Sequence, residues 1–166
     1  FGVDVNLEDL KVAYRETVKG KSDVQGKHKK QSGGHGQYGD VKIKFERSKK
    51  DFEFTEEIFG GSVPKQYIPA VEKGLKDSML KGVLAGFPVT NIKATLYDGS
   101  YHDVDSNETS FKMAASIAFK KGMTEAKPVI LEPVAKVEIF VPDEYMGDIM
   151  GDMNKRRGRI MGMNQA

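Results

Sequence analysis

Two runs of strict alternation limit how this chain can fold. Val41, Ile43 and Phe45 interleave with Lys42, Lys44 and Glu46, and Ile92, Ala94 and Leu96 interleave with Lys93, Thr95 and Tyr97. A period of two places every second side chain on one face, so each run is a half-buried strand that needs an apolar layer on one side only. Two helical stretches can supply that layer. Ile68, Val71, Leu75 and Met79 recur at steps of three and four behind Pro64, with Pro69 in the first turn, and Gly82 and Gly86-Phe87-Pro88 close the helix. Phe111, Ala114, Ala115 and Ala118 form one side of the second helix, and the alanines are small enough to let it lie close on a sheet. Val12 to Val18 and Phe52 to Ile58 read as further strands, the latter ended by Gly60-Gly61. The resulting order, ββ, β, α, β, α, is an α+β sandwich with one helical layer.

The last part of the chain is a different object. Pro128 and Pro133 bracket a connection, after which Val137, Ile139 and Val141 alternate with Lys136, Glu138 and Phe140 as a strand. Pro142-Asp143 opens a helix with Met146, Ile149, Met150 and Met153 inward, and Lys155, Arg156, Arg157 and Gly158 suit its C-terminus. Arg159 to Met163 begins another strand. A β-α-β piece shorter than about 40 residues does not bury a core of its own, so it reads as half a domain. The expected division is 1–10 as the tail of a preceding domain, 11–130 as the sandwich, and 131–166 as the incomplete β-α-β.

Composition excludes several classes. At 166 residues, 39% hydrophobic and 30% charged, the chain is globular and holds one domain or one and a part. No apolar run reaches the length of about 18 residues that a spanning helix needs. The absence of cysteine excludes disulfides and thiolate metal sites and is compatible with a reducing cytoplasm. Phe1-Gly2-Val3-Asp4 lacks an initiator methionine, a basic n-region and an apolar h-region, as the cut end of a longer polypeptide would. Net charge is only +2, so affinity for a polyanion must come from clusters. Lys19, Lys21, Lys27, Lys29 and Lys30 against Asp23 form one; Lys155, Arg156, Arg157 and Arg159 form another.

The chemistry-bearing segments are polar turns. Gln31-Ser32-Gly33-Gly34-His35-Gly36-Gln37-Tyr38-Gly39 follows the basic run Lys27-His28-Lys29-Lys30 and lies between two expected strands. Glycines so spaced let the backbone bend sharply and approach another polymer closely, and the cations favour an anionic one. On spacing alone, a nucleic-acid loop and a plain hairpin turn both fit. Asp98-Gly99-Ser100-Tyr101-His102-Asp103-Val104-Asp105-Ser106 runs into the second helix, where Asp105 and Glu108 have capping-box separation. Asp98, Asp103 and Asp105 lack the order of a calcium loop. Ser32, His35, His102 and Asp103 lack the G-x-S-x-G turn of a hydrolase, and no G-x-x-x-x-G-K-[ST] phosphate loop occurs.

Four long segments carry a family likeness: GKHKKQSGGHGQYGDV, GGSVPKQYIPAVEKGL, GVLAGFPVTNIKATLYDGSYHDVDSNE and EPVAKVEIFVPDEYMGDIMGDMNKRRGRI. Together and in this order they resemble the fourth domain and the first part of the fifth domain of bacterial elongation factor G, the ribosomal translocase. The resemblance implies a left-handed βαβ sandwich shared with a small-subunit ribosomal protein, followed by a truncated ferredoxin-like β-α-β half-domain. It implies an arm that enters the decoding site of the ribosome in the cytoplasm as transfer RNA and messenger RNA advance, with no membrane partner.

By motif, the first tip loop is Gln31, Ser32, Gly33, Gly34, His35, Gly36, Gln37 and Tyr38, and the second is Ser100, Tyr101, His102, Asp103 and Asp105, with His102 at its apex. Lys27, Lys29 and Lys30 support the first. No catalytic residue, metal or cofactor is expected in this stretch, since GTP, magnesium and hydrolysis belong to the family's first domain. His35 departs from the arginine common at that point of the motif, which leaves room for a ribosome-protection or non-translocating paralogue. A phosphate-ligand enzyme on a similar fold is the alternative of another class. Any homo-oligomer is expected to be an artefact of truncation, through an exposed strand edge.

Overall fold

The structure, a computed structural model, describes residues 13–31 and 33–163. The expected tail at 1–10 and Ser32 of the first loop lie outside the described residues. The chain divides into two units, Phe1–Pro133 and Val134–Ala166.

In the first unit, β1 (Arg15–Val18), β2 (Ser22–Gln31), β3 (Gly36–Arg47) and β4 (Phe52–Glu56) precede α1 (Ile68–Ser78); β5 (Ile92–Ser100), α2 (Glu108–Glu125) and β6 (Pro128–Leu131) follow. The main sheet has the order β2-β3-β5-β4, and β1 and β6 form a separate pair. β3 pairs antiparallel with both β2 and β5, whereas β4 pairs parallel with β5 across the α1 crossover. Alternation does what it predicts. Val41, Ile43, Phe45, Ile92, Ala94 and Leu96 are buried against Val71 and Leu75 of α1 and Phe111, Ala114, Ala115 and Ala118 of α2. Phe45 meets Phe119 edge-on with ring centroids 6.1 Å apart. Each such large apolar side chain contributes about 1.5–3 kcal/mol by leaving water. Pro69 sits in the first turn of α1, where its missing N–H costs no helical bond.

Two strands escaped the sequence reading. β2 lies between β1 and β3, so the glycine segment joins β2 to β3 rather than β1 to β3. As an edge strand, β2 buries little more than Val24 and Gly26, and its basic run is the charge that protects an edge. β6 occupies the stretch taken for a connection and pairs with β1, Val18 opposite Pro128. Proline is tolerated there because it is the first residue of its strand.

A carboxylate side chain is built into the body beneath the connection from α1 to β5. Glu16 of β1 is 2% exposed, and its carboxylate accepts the N–H groups of Leu84 (2.8 Å), Ala85 (3.1 Å) and Phe87 (2.8 Å). The connection from α1 to β5 is thereby wrapped around an anion, whose burial is compensated by hydrogen bonds.

The second unit contains a 3-10 turn (Asp143–Tyr145) and α3 (Met146–Lys155). The helix is the expected one, with Arg156 at its C-cap. The strands expected at 137–141 and from Arg159 to Met163 are not formed; 132–142 and 158–163 carry no assigned secondary structure. A strand exists through ladder hydrogen bonds to a neighbour, and alternation cannot provide the neighbour. Among the described residues, no helix is long and apolar enough to cross a membrane.

Candidate nucleic-acid interface

β2 and β3 form a hairpin whose ladder ends at Gln31 opposite Gly36, with Gly33, Gly34 and His35 in the connection. Gly33 and Gly34 turn it with φ of 46° and 123°, values that strain a residue bearing a Cβ. Gln31, Gly33, Gly34 and His35 are exposed; Gly36, Gln37 and Tyr38 are half-buried on β3. The ladder also sorts the basic run, since residues directly opposite share a face. Lys29 is opposite Tyr38 and Lys27 opposite Asp40 on the open face of the sheet, while Lys30 is opposite Gln37 on the helix side. Lys27 Nζ lies 5.4 Å from the centre of the Tyr38 ring. His28 Nε2 and Gln37 Oε1 are hydrogen-bonded at 2.7 Å.

The second turn leaves the end of β5, where Ser100 pairs with Asp40. Tyr101, His102 and Asp103 are exposed. The Val104 and Asp105 N–H groups both donate to His102 Nδ1 at 3.2 Å. Two donors aimed at one ring nitrogen require a lone pair there, so the ring proton is assigned to Nε2. The 3.7 Å approach of Asp105 Oδ2 to Nδ1 is then a contact between two acceptors rather than an ion pair. Asp105 does not cap α2, as its spacing from Glu108 suggested. Asn107 does, accepting the Ser110 N–H on its side chain at 2.8 Å. The helix simply starts later, at a residue equally suited to the task.

Tyr38 joins the two turns. Its N–H donates to the Asp105 carbonyl (3.0 Å), its carbonyl accepts the Ser106 hydroxyl (2.8 Å), and its own hydroxyl lies 2.6 Å from Ser100 Oγ. The Tyr38 and His102 ring centroids are 6.4 Å apart. The Ser106 hydroxyl oxygen also accepts the His102 N–H at 2.9 Å. Behind Tyr38, Ser100 donates to Asp40, whose other carboxylate oxygen accepts from Gln25. Asp40 is 6% exposed although it faces the open side of the sheet, because these partners cover it.

Asp40 and Asn107 had no part in the sequence reading of the site, and Ser106 entered it only as the last residue of the second polar turn. The only signal for Asn107 was its cap-forming side chain just before an apolar run. Further along the open face, the Tyr97 hydroxyl donates to Asp23 at 2.5 Å. That bond first, and burial after it, pushes the Tyr97 phenol up to about 12.

The assembly presents amides, an imidazole, carboxamides and flanking ammonium groups at one end of the sheet. Such groups bind phosphate and ribose oxygens without reading base sequence. Among the described residues, no three His, Cys, Asp or Glu side chains are grouped as a metal ion would need.

Comparison with known proteins agrees on one lineage. Residues 10–127 match the family described as Elongation factor G, domain IV, and residues 129–166 match that described as Elongation factor G C-terminus. A crystal structure of a protein from Thermus thermophilus is similar over 99% of this chain, with 51% sequence identity and a TM-score of 0.88. This chain spans 25% of the length of that one. The chain therefore belongs to the elongation factor G family.

Proposed function

We propose that this chain is the ribosome-binding arm of a translation elongation factor, which promotes translocation by inserting its two tip loops into the decoding site. One observation supports the reading above others. Two exposed polar turns, distant in sequence, are hydrogen-bonded to each other through Tyr38 at one end of the sheet. A translocase must accept every codon, so contacts through Gly33 and Gly34 amides, Gln31, Gln37 and the Nε2–H of His102 suit the task better than base readout. Lys27, Lys29 and Lys30 add a salt-dependent attraction to phosphate. Contacts available only after transfer RNA and messenger RNA have moved would shift the population toward the advanced state.

GTP and magnesium are assigned by this reading to another part of the parent protein, which acts in the cytoplasm as a translational GTPase. The arm itself contributes positioning. The test is single-round translocation by the full-length factor carrying His102→Ala or a deletion of Gly33. Translocation should slow while ribosome-stimulated GTP turnover is kept; an unchanged translocation rate overturns the proposal.

His35 supports a second reading, a ribosome-protection or non-translocating paralogue. An imidazole lacks the bidentate fork with which the guanidinium common at that position holds phosphate. Polypeptide synthesis by the full-length factor in a reconstituted system separates the two readings.

A further inference from the structure

Phe59 is 92% exposed, more than any other large apolar side chain described up to Pro133. It precedes Gly60 and Gly61, with φ of 68° and 70°, in the connection from β4 to α1. The ladder locates this connection. β4 runs parallel to β5 with Glu56 opposite Leu96, and the Glu57 N–H donates to the Leu96 carbonyl at 2.8 Å. The chain therefore leaves β4 toward the end at which β5 delivers Ser100. Farther on, the Tyr67 hydroxyl donates to the Ser106 carbonyl at 3.1 Å, tying the end of the connection to the second tip turn. Phe59 is thus carried at the tip end of the arm, on the opposite edge of the sheet from β2.

The two edges differ in charge. β2 carries Lys27, Lys29 and Lys30 against Asp23, whereas residues 51–64 contain Asp51, Glu53, Glu56 and Glu57 with no lysine or arginine. Asp51, Glu56 and Glu57 are exposed and Glu53 is half-buried. Among the described residues, no strand pairs with the outer side of β4, the arrangement of a sheet edge that a partner can meet. A phosphate backbone approaching this edge would be repelled, while a cationic surface would be steered to it, with Phe59 as an apolar anchor.

We propose that Phe59 and the acidic edge of β4 form a protein-docking site for a basic protein surface with an apolar recess, beside the place where the tip meets RNA. This rests on the ribosome-binding reading of the arm. The test places the photo-crosslinker p-benzoylphenylalanine at position 59, or separately at position 35, of the full-length factor bound to purified ribosomes. Position 59 should attach to a protein and position 35 to RNA. An RNA adduct, or none, from position 59 while position 35 reaches RNA overturns the docking site and leaves the tip reading standing. A protein adduct from position 59 with no RNA adduct from position 35 keeps the docking site and sinks the tip reading.

Because Phe59 contributes almost nothing to the core, Phe59→Ala should keep its urea midpoint. It should raise the Kd for ribosomes by about fivefold to tenfold, the scale of a truncated anchor residue. Glu57→Lys should slow association at low salt. An unchanged Kd for Phe59→Ala overturns the proposal.

Discussion

The main-chain carbonyl of Asp105 accepts the Tyr38 N–H at 3.0 Å, and the Asp105 carboxylate stands where a side chain at position 36 would be. A Cβ on Gly36 would come within 2.7 Å of Asp105 Oδ2, whereas one on Gly33 would meet nothing within 4 Å. Gly36→Ala must therefore push the Asp105 carboxylate aside and should cost about 0.5–1.5 kcal/mol through the displaced Asp105 rotamer. Gly33→Ala should cost about 1–2 kcal/mol from its left-handed φ alone and leave the second turn in place. Urea unfolding together with amide chemical shifts of residues 102–106 separates the two. Shifts that move equally in both variants would contradict the packing account.

The imidazole of His102 has two separable atoms: Nδ1 organises its own turn and Nε2 carries the ring proton. His102→Asn puts an acceptor near the Nδ1 position, and His102→Gln puts its amide nearer Nε2. The asparagine variant should preserve hydrogen-exchange protection at Val104 and Asp105 but lose translocation rate. The glutamine variant should lose protection first. Identical behaviour of the two would mean that the ring acts only by bulk.

Glu16 is the side chain on which the connection from α1 to β5 depends. Glu16→Gln keeps the shape but turns an amide donor toward at least one of three N–H donors. A loss of about 2–4 kcal/mol in urea unfolding is expected, since charge-assisted bonds are lost and a buried donor is left unpaired. A loss below about 0.5 kcal/mol, typical of a surface change, would refute the clamp.

Asn107→Ala removes the cap of α2 and should destabilise the protein by about 1 kcal/mol, whereas Asp105→Ala should leave the helix start unaltered. Hydrogen exchange at Ser110 reports the difference. Equal effects at that amide would restore Asp105 as the cap.

Tyr97 has a pH signature. Its folded-state phenol stands at about 12 against an ordinary 10.0, chiefly because the hydroxyl donates a hydrogen bond to Asp23. The folded protein thus binds a proton that the unfolded chain has released, so this contribution to stability is present below about pH 10 and lost as pH rises toward about 12. Phenolate absorbance should show one tyrosine titrating late, and Asp23→Asn should return it toward 10.0. A titration unaffected by Asp23→Asn would assign the shift to burial.

Much of the body was legible because one buried face writes its period into the sequence. Ile68, Val71 and Leu75, or Val41, Ile43 and Phe45, are spaced by geometry that any core imposes. β2 was not legible, since an edge strand with one open face and Gly26 pressed beneath α2 leaves few apolar marks. β6 was hidden by its proline and its brevity. In the interface, the glycines and His102 stood out as residue types, while Asp40 and Ser106 did not. Their importance arises from register, which brings residue 38 beside residue 106, and no local pattern encodes a pairing across that separation. The unpaired segments after Pro133 make the same point from the other side: alternation states what a strand could be and leaves its neighbour unnamed.

The register of the hairpin has a mechanical corollary. β5 stops pairing at Asp40, yet β2 and β3 continue together to Gln31 and Gly36, so among the described residues the last stretch of ribbon has no third strand beside it. At about 3.4 Å per residue this overhang reaches roughly 14 Å beyond the sheet. It is a cantilever, and the turn at 101–107 bonded to Tyr38 is its gusset. A load applied at the glycine end would flex the free ribbon before it reached the core, so the brace at Tyr38 sets how much push survives the journey.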